Sequence, residues 1–94
     1  MTALELKANI EKAVVENEDS YIYEPLKRAE SIATCIAIID NDEKCTKENT
    51  KNYVKELKRA LHALYETDEE GDVLRQLELD VIEFFDGLPD TEAK

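Results

Sequence analysis

The residues best suited to nucleophilic or soft-metal chemistry in this 94-residue chain are Cys35, Cys45 and His62. A cysteine is activated by a neighbouring base. Cys35, however, falls in the most apolar stretch, Ile32 to Ile39, where a thiol is expected to pack as an inert small hydrophobe. A structural zinc site takes about four ligands, and these three residues sit at no recognised spacing. A di-iron helical bundle uses Glu-x-x-His pairs, but His62 is preceded at that distance by Arg59. The run Asp40-Asn41-Asp42-Glu43-Lys44 starts like a calcium loop. It then places Lys44 where an oxygen ligand belongs, Cys45 where the turn needs Gly, and Lys51 where the closing Glu should stand. Asp68-Glu69-Glu70-Gly71-Asp72 has its glycine out of place as well. No glycine-rich loop is present to cradle a phosphate. The sequence therefore reads as a non-enzyme, with no metal and no cofactor.

What remains is charge. Twenty-three acidic residues against twelve basic ones give a formal net charge of −11. That balance disfavours direct binding to nucleic acid or to an anionic membrane surface and favours a basic protein partner. The charge is unevenly spread. From Lys44 to His62 six basic residues face only Glu48 and Glu56, while residues 66–92 hold eleven acids against Arg75. Lys51, Lys55, Lys58, Arg59 and His62 recur at helical spacing and form a basic stripe. This stripe is open to two readings, pairing with acids of the same molecule or a binding site. Asp72, Glu78, Asp80, Glu83 and Asp86 place carboxylates along a second rod. Concentrated like charge costs folding energy, so these five are the candidate partner-binding residues. Tyr21 and Tyr23 are added as possible aromatic anchors, because Tyr is enriched at interface hot spots.

These side chains must be carried on helices. Only two Gly and two Pro occur, too few for a small all-β domain, and the apolar period is helical from end to end. Thr2-Ala3-Leu4-Glu5 reads as a capping box opening a helix over 3–17, with Leu6, Ile10, Ala13 and Val14 on its buried stripe. Pro25 suits a first helical turn and opens a second helix, 25–39. Ile32, Ala33, Cys35, Ile36, Ala37, Ile38 and Ile39 leave it so little polar surface that it reads as the most buried element. The charged run 40–44 is read as a turn. Thr46 or Asn49 can cap a third helix over 47–66, on which Tyr53, Val54, Leu57, Ala60, Leu61, Leu64 and Tyr65 share a face. Asp72 can cap a fourth helix, 72–86, in which Leu74, Leu77, Val81, Phe84 and Leu88 follow a three-four spacing, and Gly87 and Pro89 end it.

Four helices joined by short polar loops predict an all-α, up-down-up-down four-helix bundle. Residues 1–89 form one domain and 90–94 a disordered tail. The start of the chain lacks the charged and apolar regions of a signal peptide, and no apolar run approaches a membrane span. Two cysteines make no disulfide framework, which places the protein in a reducing cytoplasm.

In size, acidity and helical character the chain resembles bacteriocin or toxin immunity proteins and phage inhibitors of host nucleases or polymerases. The resemblance spans the whole chain in composition and carries no motif. It implies a small acidic protein that occludes a basic surface on a protein partner, with nucleic-acid mimicry as one form of that role. The alternative is a homo-oligomeric helical assembly or scaffolding module. In its simplest form this is a homodimer in which the basic third helix of one subunit meets an acidic face of another.

Overall fold

A computed structural model describes residues 1–62 and 71–90, apart from the side chain of Asp72. Among the described residues there are four helices, α1 (Ala3–Glu16), α2 (Tyr23–Glu43), α3 (Lys47–His62) and α4 (Gly71–Asp86), and no strand. The fold class is all-α, as the helical period requires. Leu64 and Tyr65, expected to extend α3, and all of the expected break from Thr67 to Gly71 except Gly71 lie outside the described residues; Gly71 is the first residue of α4, so Asp72, read as its cap, stands within the helix.

The start of α1 follows directly from its sequence. Thr2 Oγ1 accepts from the Glu5 backbone N–H at 3.1 Å, and Glu5 Oε1 accepts from the Thr2 N–H at 2.9 Å. Two otherwise orphaned donors are thereby satisfied. The Thr2 hydrogen bonds hold the Glu5 carboxyl below its ordinary pKa. At the other end Asn17 Nδ2 donates to the Ala13 carbonyl at 2.8 Å, closing the last turn.

α2 departs from the expected 25–39 at both ends. It begins two residues earlier because Pro25, third in the helix, still lies in the first turn, where its missing N–H removes no intrahelical bond. Ile22, wholly buried just before it, fixes the entry. It continues to Glu43 because Asp40–Glu43 is an exposed helical end rather than a turn. Polarity marked solvent exposure there, not the end of the helix. Nor is α2 the most buried element. Leu26, Ala29, Ala33 and Ile36 are buried, but Cys35 is exposed and Ile38 is 56% exposed. A 21-residue helix with neighbours along one side leaves its opposite face to water, however apolar its composition.

α2 ends at its C-cap Lys44, with φ 64° and ψ 141°, a region costly for a side chain. Local hydrogen bonds hold it. Asp40 Oδ1 accepts from the Cys45 N–H at 3.4 Å, and Asn49 Nδ2 donates to the Lys44 carbonyl at 2.9 Å. Thr46 Oγ1 accepts from the Asn49 N–H at 3.0 Å, and Asn49 Oδ1 accepts from the Thr46 N–H at 2.7 Å. Thr46 and Asn49 therefore cap α3 together, with Asn49 in the place a capping-box Glu would take. The residues that resembled a calcium loop build this corner.

The C-terminal segment straps the same corner. The Lys47 N–H donates to the Pro89 carbonyl at 2.8 Å and the Glu48 N–H to the Asp90 carbonyl at 3.2 Å. Asp90, expected to open a disordered tail, is thus tied to the first turn of α3. Residues 91–94 lie outside the described residues. α4 ends at Asp86 as expected, but Gly87 does not supply a left-handed cap, since its φ is not positive.

α1 packs on α2, α2 on α3 and α3 on α4, and α4 returns to α1. Leu6 and Ile10, Leu26 and Ile36, Leu57 and Leu61, and Leu74 and Val81 are wholly buried between them. Each such side chain contributes roughly 1.5–3 kcal/mol of transfer free energy. Tyr53, expected on the buried face of α3, is 40% exposed, because it sits at the rim of the stripe set by Val54, Leu57 and Leu61.

Candidate docking surface

The carboxylates expected along one rod are divided among three surroundings. Glu78 faces α3. Its side chain is 15% exposed, and Oε2 lies 3.6 Å from His62 Nδ1. Asp80 faces α1, accepting from Asn9 Nδ2 at 3.4 Å and from Gln76 Nε2 at 3.2 Å. Glu83 and Asp86 are exposed, and neither carboxylate has an ion pair among the described residues. Asp72 lies within α4, but its side chain is outside the described residues. The split follows from helical geometry. Glu78 and Asp80 flank the buried stripe Leu74-Leu77-Val81-Phe84, while Glu83 and Asp86 fall opposite it.

Two aliphatic side chains share the outer face with Glu83 and Asp86. Leu79 is 53% exposed and Ile82 36%. Neither was singled out from the sequence, although both stand off the three-four spacing of the α4 core. An outer face carrying only solubilising residues would not need them.

The two tyrosines part company. Tyr23, first residue of α2, is half-buried against the core beside Ile22. Tyr21 is 48% exposed and lines a groove of about 720 Å³ with Pro25, Arg28, Ile32 and Arg59. That groove belongs to α2 and α3, so Tyr21 and the α4 carboxylates lie on separate surfaces.

No protein-family model, curated protein or solved structure matches this chain. The surface must therefore be read from its own chemistry.

The basic stripe, with Lys47 at the start of the same helix, resolves into paired and unpaired side chains. Arg59 pairs with Glu56 of its own helix at 3.3 Å, His62 lies beside Glu78, and Lys47 reaches Asp90 at 3.8 Å and the Asp86 carbonyl at 3.4 Å. Lys51, Lys55 and Lys58 have no ion pair among the described residues. With Lys47 they rim an open groove of about 590 Å³ whose floor is Val54 of α3 and Phe85 of α4, and Glu48 is the one acid lining it. The groove lies directly beside the outer face of α4. Phe85, partly buried against the core, forms the α4 edge of the groove, and Ile82, three residues before it, is the outer-face residue nearest to it around the helix.

A second apolar area lies between α1 and α2, where Leu4, 66% exposed, and Ile38 border a shallow groove with Thr34 and Ala37. Among the described residues no group of three His, Cys, Asp or Glu is placed to hold a metal ion, and no helix is long and apolar enough to cross a membrane. Of the thiols, Cys45 is buried, 4% exposed, and burial with the nearby Asp40 carboxylate pushes its pKa up to about 11. Cys35, read from the sequence as a packing residue, is the exposed one.

Proposed function

We propose that this protein is a binding module, not an enzyme, and that it acts by occluding a basic surface on a protein partner through the outer face of α4. One observation carries the reading. Leu79 and Ile82 are exposed beside Glu83 and Asp86, whose carboxylates have no ion pair within the described molecule. Aliphatic residues supply contact energy once water is excluded. The acids and the net charge of −11 steer a basic partner and speed its arrival in a salt-dependent manner. An inhibitor or immunity-type role fits this chemistry. Occlusion by a mixed apolar and acidic face has more support than mimicry of a phosphate backbone, because Glu78 is turned in against α3 and Asp80 is hydrogen-bonded to Asn9 of α1. We read the helices as an up-down-up-down bundle. Contacts between the start of α1 and the end of α2, between the start of α3 and the segment after α4, and between the end of α3 and the middle of α4, support that reading. Free thiols at Cys35 and Cys45 fit a reducing cytoplasm.

The test is affinity capture from the native lysate at 50 mM and 500 mM salt, comparing the natural chain with E83K/D86K and with L79S/I82S. A basic protein retained at low salt by the natural chain and lost by both variants supports the reading. Equal retention by the variants, or no basic protein at low salt, overturns it.

A further inference from the structure

The lysine-rimmed groove and the acidic outer face of α4 lie side by side, and each offers what the other lacks. The groove presents Lys51, Lys55 and Lys58 around the apolar floor of Val54 and Phe85. The neighbouring face presents Glu83 and Asp86 around exposed Leu79 and Ile82. Within one molecule the two cannot meet, because they are adjacent strips of one surface, with Phe85 at the edge of the groove and Ile82 at the edge of the face. A partner that fills the groove must bring an acidic, partly aliphatic helical face. It must also tolerate an acidic strip next to the groove, and so carry a basic strip in the matching place.

We infer that the α3–α4 face is self-complementary and that its occupant is a second copy of this chain. A two-fold axis along the Phe85–Ile82 seam sets the lysine rim of each copy against Asp86 of the other, with Ile82 of each turned toward the partner's groove and Glu83, farther round α4, adding to the acidic field. Such an arrangement is isologous, so every contact occurs twice and the assembly closes at a dimer. Two molecules of charge −11 repel at long range. That repulsion is screened beyond about 8 Å at physiological ionic strength, whereas opposed charges in contact are screened far less. The dimer therefore forms best at intermediate salt and weakens both in very low and in high salt. It also covers the α4 face proposed above as the partner-binding surface, so self-association and partner binding compete. The inference does not depend on that reading.

Two double variants test it by sedimentation velocity, from 10 µM to 1 mM protein in 0.15 M salt. K51E/K55E makes the groove acidic and leaves the α4 face intact. E83K/D86K makes the face basic and leaves the groove intact. All four positions are exposed on helices, and circular dichroism confirms that each variant is folded. The natural chain is expected to move from 10.8 kDa toward twice that mass as concentration rises. Each variant alone should dimerise about tenfold or more less tightly, since like charges then face each other. An equimolar mixture of the two should recover the heterodimer, because both contacts then pair opposite charges. A natural chain that stays monomeric to 1 mM overturns the inference, as does a variant that dimerises undiminished or a mixture that fails to recover. Lysate capture separates the two proposals. K51E/K55E loses the dimer in either case; it still retains a basic protein at low salt if the occlusion reading holds and retains none if that reading fails.

Discussion

At the residue scale, hydrogen-bond accounting explains several polar side chains that invite a chemical role. Thr50 is wholly buried, yet its hydroxyl donates to the Thr46 carbonyl at 2.6 Å, an oxygen that also accepts from the Thr50 N–H at 3.1 Å. Removing the hydroxyl leaves that carbonyl satisfied. Thr50→Val is therefore expected to change stability by less than about 1 kcal/mol in urea unfolding. Thr46→Ala, which strips the cap from α3, should cost about 1 kcal/mol. The thiols make a sharper contrast. Cys35 should react with a thiol reagent in the native protein, while Cys45, buried and held protonated up to about pH 11, should react only after unfolding. Comparable native rates for the two would refute the assigned burial. The sign of the Glu5 contribution is also fixed. Its pKa is lowered by Thr2, so the stabilisation is present above the ordinary carboxylate range and is lost as pH falls through the lowered folded value. Glu5→Gln should flatten the acid limb of the stability profile.

At the element scale, the corner between α2 and α3 is the most constrained part of the chain. Lys44 takes a positive φ that glycine would adopt at little steric cost. Lys44→Gly is accordingly expected to raise stability by up to about 1 kcal/mol, read as a higher urea midpoint at unchanged slope. A fall in stability would show that the Lys44 side chain contributes more than its backbone strain removes. The strap across this corner makes the opposite prediction. Ending the chain at Leu88 removes the Pro89 and Asp90 carbonyls that accept from Lys47 and Glu48. The loss should be about 1–2 kcal/mol, since water replaces part of each bond. Hydrogen exchange of the Lys47 and Glu48 amides should quicken more than that of mid-helix amides such as Leu57.

At the scale of the whole molecule, four helices share one core, and the charge left outside it is strongly polarised. Phe84→Ala should cost about 3–5 kcal/mol, because Phe84 is 2% exposed at the heart of the α4 stripe. A domain of this size holds only about 5–15 kcal/mol in all, so that single change places the fold near its limit in thermal melting. Much of this was legible beforehand. The buried stripes Leu6-Ile10-Ala13-Val14, Val54-Leu57-Ala60-Leu61 and Leu74-Leu77-Val81-Phe84 follow from helical spacing alone, and the capping box at Thr2 and Glu5 from residue type. α2 was less legible. When a helix is apolar on nearly every side, its pattern no longer tells which side is covered, and Cys35 and Ile38 were assigned to the interior on composition. The candidate site was legible only in part. Glu83 and Asp86 lie outward as their spacing suggests, but spacing within α4 does not tell that α3 takes Glu78 and α1 takes Asp80.

By itself the sequence determined that the chain is helical, where α1 and α3 begin, which residues form three of the buried stripes, and that acid outweighs base. These depend on short-range backbone sterics, capping and the 3.6-residue period, which act within a few positions of each residue. Only the tertiary structure decided which charges are already answered. It also decided that three lysines border an apolar groove, and that this groove adjoins the exposed Leu79–Asp86 face. Those facts depend on which helix lies beside which, a long-range matter that local periodicity does not encode.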